Sequence, residues 1–333
     1  SYVVGVVCAG NALVDVMDLK AQTAAPNLTF GIALITLAFL SAAVMSAFSK
    51  AATGVPPLQI LLLQYGISFL IFVPSAARLG REHLMTEHFR LHLFRSLAGS
   101  VCQLLFFVAV RSIPLLDSVL LSNAAPLFIP LVVYVWLHKT VQPVVWMSLL
   151  IGLVGIVLII RPGPQMFQNP ASLIALTSGL FSAVALVATN KLAETEPPVR
   201  ILFYNFGIST LLLIPIAVGT WSNLNGRQWL LLLAVGAFYA LTQYLIILAY
   251  RYASATELSP FNYTVVIFSG LLGWLVFGTV PGPLAVLGTV LICAGGILSI
   301  EAGHAEGRGH SSGYAHWRQQ WKFKGPGLAS HKY

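Results

Sequence analysis

The sequence predicts an all-α membrane protein with ten transmembrane helices arranged as two inverted five-helix repeats. Its composition, its ten long apolar runs and its self-similarity at one fixed offset each point there. Of 333 residues, 57% are hydrophobic and only 8% are charged, against roughly a quarter charged in soluble domains. The mean hydropathy is +0.84. A domain dissolved in water covers itself with polar groups, whereas a chain dissolved in lipid avoids them because each lipid-facing charge is costly.

Apolar runs bounded by Pro, Gly or charge place the spans over residues 29–49, 57–77, 91–110, 114–137, 143–160, 170–190, 200–220, 228–250, 255–277 and 283–300. Each is long and uniformly apolar, which excludes the alternating strands of a barrel and leaves helices, whose backbone groups are satisfied internally. Residues 1–28 form an N-terminal cytoplasmic segment, since Asp15 and Asp18 argue against a further span. No basic stretch precedes its apolar residues, so no cleaved signal peptide is expected. Residues 301–333, rich in Gly, His, Ser and Lys, read as a disordered cytoplasmic tail.

The net charge of +8 is explained by topology rather than by nucleic-acid binding. With both termini inside, every Lys and Arg except Lys50, Arg111, Arg161 and Arg227 is cytoplasmic, Arg90 and Arg95 being counted with the loop before the third span. Cys8, Cys102 and Cys293 give neither a disulfide framework nor metal-ligand spacing. The string HLMTEH, His83 to His88, has one residue too many for an inverted zinc-protease motif. No Walker A string suggests an ATP-driven pump. No metal and no cofactor are expected.

A gap-free shift of 140 residues pairs Gln103 with Gln243, Arg111 with Arg251, Asp117 with Glu257, Pro143 with Pro283 and Gly155 with Gly295. This gives a first repeat over 29–160 and a second over 170–300. Because five is odd, the second enters the membrane from the opposite side, the plan of many secondary transporters.

Polar groups within the spans are the candidate site residues. Gln103 and Gln243 either tie helices together or face a central cavity; Tyr239, one turn before Gln243, shares its face. Pro126, Pro130 and Pro260 interrupt the fourth and ninth spans, and Asn123, Asn262 and Tyr263 beside them are further substrate-binding candidates. Asp117 and Glu257 are candidates for gating or proton coupling, but a first-turn acid near an arginine is equally served by the helix dipole, and the structural role is favoured.

The strings LFRSLAG, SIPLLDSVLLSNAAPLF, GLVGIVLIIRPG, ILFYNFG and AYRYASATELSPFNYTVVIFSGLLGWLVFG resemble the EamA-type drug/metabolite transporters along nearly all of 30–300. SPFNYT and RPG are most similar to the S-adenosylmethionine-carrier-like branch. Lys139 and Thr279 stand where that family commonly carries Glu. The resemblance implies a central cavity between two inverted repeats and alternating access. The expected function is secondary transport of a small metabolite, an amino acid or nucleoside-like compound such as S-adenosylmethionine, across a bacterial inner membrane. Expected partners are the small-molecule substrate, membrane lipid and a proton or counter-substrate, for a monomer or homodimer. The rivals are a membrane-embedded enzyme, which would need clustered catalytic groups, and a membrane interaction protein without transport.

Overall fold

A computed structural model describes residues 27–79, 84–110, 112, 121–160, 170–217, 219, 221–277 and 282–307. Within them the chain is helical, with no strand. The helices are α1 (Leu28–Ala51), α2 (Pro57–Leu79), α3 (Phe89–Val110), α4 (Ala125–Leu137), α5 (Pro143–Ile160), α6 (Ala171–Ala193), α7 (Pro198–Ala217), α8 (Gly226–Tyr252), the single turn α9 (Ala255–Leu258), α10 (Thr264–Phe277) and α11 (Pro283–Gly307). A 3₁₀ turn, Ser259–Tyr263, joins α9 to α10.

Local chemistry sets the boundaries. The Asn27 side chain accepts a hydrogen bond from the Phe30 backbone N–H at 3.1 Å and starts α1. Asn225 and Gln228 form a reciprocal capping box at the start of α8, and Ser254 and Glu257 form another at α9. Helices α2, α5, α7 and α11 each begin on proline, whose fixed φ suits a first position and whose missing N–H has no intrahelical acceptor there. Gly54, at φ 79°, makes the left-handed turn between α1 and α2.

Six helical segments among the described residues are long and apolar enough to cross a membrane, and shorter apolar helices accompany them. The fourth and ninth expected spans differ from continuous helices. Helix α4 has 13 residues, short of the roughly 20 that span a bilayer core, and α10 has 14 and reaches a spanning length only together with α9 and the 3₁₀ turn. Pro126 is the second residue of α4, and Pro260 the second of the 3₁₀ turn. A proline offers no N–H to the preceding turn, so a helix readily begins or tightens there. At the other end of the chain, α11 continues to Gly307, into the expected tail.

Large apolar side chains cover the outside as well as filling the core, the reverse of a soluble protein's surface. Leu70, Leu173, Leu211, Leu230 and Leu275 are 67–70% exposed, while Gln59, Ser68, His92, Ser96, Ser178 and Ser209 are fully buried. That inversion is stable only where the surroundings are apolar.

The helix pairing is symmetric. Helix α1 packs on α8 as α6 packs on α3; α1 meets α10 as α6 meets α4; α2 lies against α7, and α5 against α11. Exchanging each helix of 29–160 with its counterpart in 170–300 reproduces these principal pairings. The α5–α11 seam shows it at atomic scale: a Cβ built on Gly155 would stand 2.5 Å from the Gly288 carbonyl oxygen, and one on Gly295 would stand 2.6 Å from that of Ser148.

Candidate functional site

The polar centre lies where α2, α3, α6 and α8 meet. Arg95, in the second turn of α3, is only 4% exposed. Its Nε donates to Thr189 Oγ1 of α6 at 2.6 Å. Its Nη2 points to Gln243 Oε1 of α8, a longer contact of 3.4 Å. Gln243 Nε2 in turn donates to the Tyr239 hydroxyl at 2.9 Å. The donating guanidinium requires the amide oxygen on its side, which sends the amide nitrogen toward the phenol. Thr189 donates its own proton to the Ala185 carbonyl at 2.7 Å, so its hydroxyl both donates and accepts.

This corrects the placement of Arg95 in the cytoplasmic loop. The residue lies inside the third helix and is buried against its neighbours, a place where an arginine ordinarily pairs or faces a polar path. Residues from both halves share it: Arg95 comes from the first, Thr189 and Gln243 from the second. The sequence offered a signal for it. His92, Arg95, Ser96 and Ser100 recur at helical spacing along α3, and all are buried.

An aromatic cluster adjoins the crossing. Tyr65 of α2 meets Tyr239 edge-on at 5.2 Å between ring centroids, Phe206 of α7 lies 5.7 Å from Tyr239 and 6.4 Å from Tyr65, and Phe72 lies 5.9 Å from Phe206. Further small polar groups line α3: Ser178 donates to the Cys102 carbonyl at 3.0 Å, and Ser100 and Ser209 hydroxyls are 3.2 Å apart.

The expected site residues divide. Tyr239 and Gln243 share a face and are bonded. Gln103 lies two turns beyond Arg95, half-buried, and no described bond connects it to the crossing. Asn123 is half-buried in the turn before α4. Asn262 and Tyr263 are buried in the 3₁₀ turn, where Asn262 Oδ1 and the Tyr263 hydroxyl find no hydrogen-bond partner among the described residues and the Tyr263 ring presses on Gly152. Glu257 accepts from the Ser254 N–H and hydroxyl, both at 2.7 Å. Asp117 lies outside the described residues. A cavity of about 440 Å³ between α4, α5 and α6 is lined by Leu121, Phe128, Leu131, Trp146, Leu150 and Leu176 and is almost wholly apolar among the described residues.

Polar clasps hold the two ends of the bundle. At one end Glu196, 3% exposed, accepts from Thr86 Oγ1 and from Arg200 Nη1, each at 2.6 Å, with His92 Nε2 3.9 Å away. Arg251 Nη2 donates to the Glu196 carbonyl at 2.9 Å. Burial alone would raise this carboxyl, but the His92 imidazole, the Thr86 hydroxyl and the Arg200 guanidinium outweigh it and hold it down at about 2. At the other end, fully buried Gln59 donates to the Ser222 carbonyl at 2.9 Å and accepts from the Ser222 N–H at 3.0 Å and its hydroxyl at 2.8 Å.

The described helices form an apolar bundle that encloses a charged, hydrogen-bonded crossing built from both halves, the architecture of a polytopic membrane protein. The sequence pattern of the EamA-like transporter family matches residues 29–161 and again 169–300, and the chain belongs to that family. It is similar to the riboflavin transporter of Vibrio cholerae serotype O1, 30% identical over 259 residues, covering 77% of this chain and 87% of that one. The pseudopaline exporter of Pseudomonas aeruginosa strain UCBPP-PA14 is 29% identical over 267 residues, covering 79% and 93%. The S-adenosylmethionine uptake transporter of Rickettsia bellii is 22% identical over 271 residues, covering 79% and 91%. One crystal structure superposes with a TM-score of 0.71 at 19% identity, covering 81% of this chain and 96% of its own, which establishes a shared fold. The family and these relatives are transporters rather than enzymes.

Proposed function

We propose that the chain is a secondary transporter of a small organic metabolite, working by alternating access of two inverted repeats around the Arg95–Gln243–Tyr239 crossing. The observation that carries this is the span of that network: a guanidinium from the first half is held by a hydroxyl and an amide from the second. A group bound there touches both halves and is sensitive to their relative position. The symmetric helix pairing supports the rocking motion, and the inversion follows from the five helices per repeat expected from the sequence. Gln103, Asn123, Asn262 and Tyr263 are assigned to the path leading to the crossing. Glu257 is assigned a helix-capping duty, and Asp117 a matching place in the first repeat. Both termini are assigned to the cytoplasmic side of a bacterial inner membrane.

The test is uptake into proteoliposomes of riboflavin and S-adenosylmethionine, the cargoes for which two relatives are named. Saturable uptake of either, lost in Gln243→Leu with folding intact, is the expected result. Uptake of neither, and of no member of a wider metabolite panel, overturns the reading.

A further inference from the structure

The charge at the crossing is unbalanced. The ion pairs among the described residues join Glu196 to Arg200 and Lys191 to Glu194, both near helix ends. None involves Arg95. Its hydrogen bonds run from Nε and Nη2 alone, so most of its five N–H donors, including both on Nη1, have no acceptor among the described residues. Thr189 and Gln243 supply dipoles but no counter-charge. A buried guanidinium in an apolar medium is ordinarily paired or turned toward a water-filled path, and its planar fork matches an oxyanion with two parallel hydrogen bonds.

The weakest link shows where such a group would enter. Gln243 meets Nη2 at 3.4 Å, against 2.6 Å for Thr189 at Nε. The Thr189 bond orients the guanidinium, while the Gln243 contact is the one readily exchanged for a stronger acceptor. Beyond Gln243 stands the Tyr65–Tyr239–Phe206 cluster, its ring centroids 5.2–6.4 Å apart. Such rings receive a planar apolar body in edge-to-face or offset contact.

We propose that Arg95 is the anchor for an oxyanion group, carboxylate or phosphate, on the transported molecule, and that the Tyr65–Phe206–Tyr239 cluster receives a planar aromatic body attached to it. The proposal rests on the transport reading, because Arg95 and Tyr65 are 4% and 2% exposed and a ligand reaches them only in a conformation that opens. The arrangement selects organic acids with an aromatic body over their neutral amides, since an amide offers the fork no charge and at most one acceptor.

The experiment uses the full chain in lipid nanodiscs and matched probes: indole-3-acetate against indole-3-acetamide, phenylpropanoate against phenylpropanamide, phenyl phosphate against phenol, and hexanoate against hexanamide. Thermal stabilisation and competition binding are read at constant ionic strength. At least one aromatic acid is expected to bind tenfold or more tighter than its neutral partner and than hexanoate. The carboxylate and phosphate arms decide between the two oxyanions. In Arg95→Gln the acid preference should vanish, and Arg95→Lys should restore part of it. No binding by any acid, equal binding of acid and amide, or a preference that survives in Arg95→Gln overturns the anchor. Equal binding of hexanoate overturns the aromatic pocket. None of these wild-type comparisons depends on a variant that folds. An acid that binds through Arg95 but is not carried into proteoliposomes sinks the transport reading and leaves the anchor; a neutral compound carried in preference to every acid does the reverse.

Discussion

Gly155 of α5 and Gly295 of α11, 140 residues apart, make reciprocal contacts across one seam. Each lets the opposite backbone approach so closely that an added Cβ would stand 2.5 Å and 2.6 Å, respectively, from a carbonyl oxygen, that of Gly288 in one case and Ser148 in the other. Those two oxygens also belong to residues 140 apart. Small residues at such places let membrane helices pack by backbone contact, where no hydrophobic effect draws them together.

Replacing Gly295 or Gly155 by Ala should therefore destabilise the protein by about 1–3 kcal/mol, the usual cost of overpacking. Gly99 in α3 has nothing within 4 Å of the point where an added Cβ would stand, so Gly99→Ala should be neutral or gain up to about 1 kcal/mol from helix propensity. Thermal unfolding of the three variants in one detergent is the check. Equal stability of all three would mean that the seam is looser than its geometry.

Thr189→Val removes the acceptor at Arg95 Nε while keeping the side chain's shape. A stranded buried donor costs about 1–3 kcal/mol, more when charged. Thr189→Ser keeps the hydroxyl and should recover most of the loss. If Val and Ser behave alike in thermal stability, the 2.6 Å bond contributes nothing.

The Glu196 carboxyl is held at about 2, below its ordinary value of 4.5. A depressed acid stabilises the fold above its unfolded value and loses that contribution as pH falls toward its folded one. Stability should thus decline between about pH 4.5 and pH 2 in the wild type. Glu196→Gln should cost about 1–3 kcal/mol at pH 7, as expected for lost charged hydrogen bonds, and should flatten that decline. Urea unfolding of both proteins across this range would reveal a contrary slope.

The α9 capping box separates structural from coupling duty at Glu257. Ser254→Ala should cost about 1 kcal/mol, a typical cap loss. Glu257→Gln can still reach the Ser254 N–H and should cost about half that or less, with pH-driven uptake unchanged. Abolished pH dependence at normal stability would make Glu257 a coupling group.

Much of this was legible from the residues. Hydropathy gave the helical runs, the 140-residue match gave paired features such as Gly155 and Gly295, and one-turn spacing placed Tyr239 beside Gln243. What escaped was Arg95. Charge counting assigns any arginine near a span's edge to water, because hydropathy carries no information on which face of a helix meets a neighbour. Thr189, its partner 94 residues away, is an ordinary helix threonine until tertiary packing brings α6 against α3. The break at Ser259–Tyr263 was half legible: Pro260 marked it, but the packing of the turn among α1, α4, α5 and α11 is tertiary and not written in local sequence.

Helices α2 and α7 occupy equivalent places, and each begins on the second proline of a Pro-Pro pair. Two residues on, the first carries Gln59 and the second Arg200, and from there the halves diverge: Gln59 grips Ser222 through neutral hydrogen bonds, while Arg200 grips a carboxylate. Only the second kind of grip depends on the charge of an ionisable group. The two ends of the bundle are thereby held by different chemistry, so that acid strong enough to protonate Glu196 loosens one end and leaves the neutral Gln59–Ser222 bonds at the other unchanged.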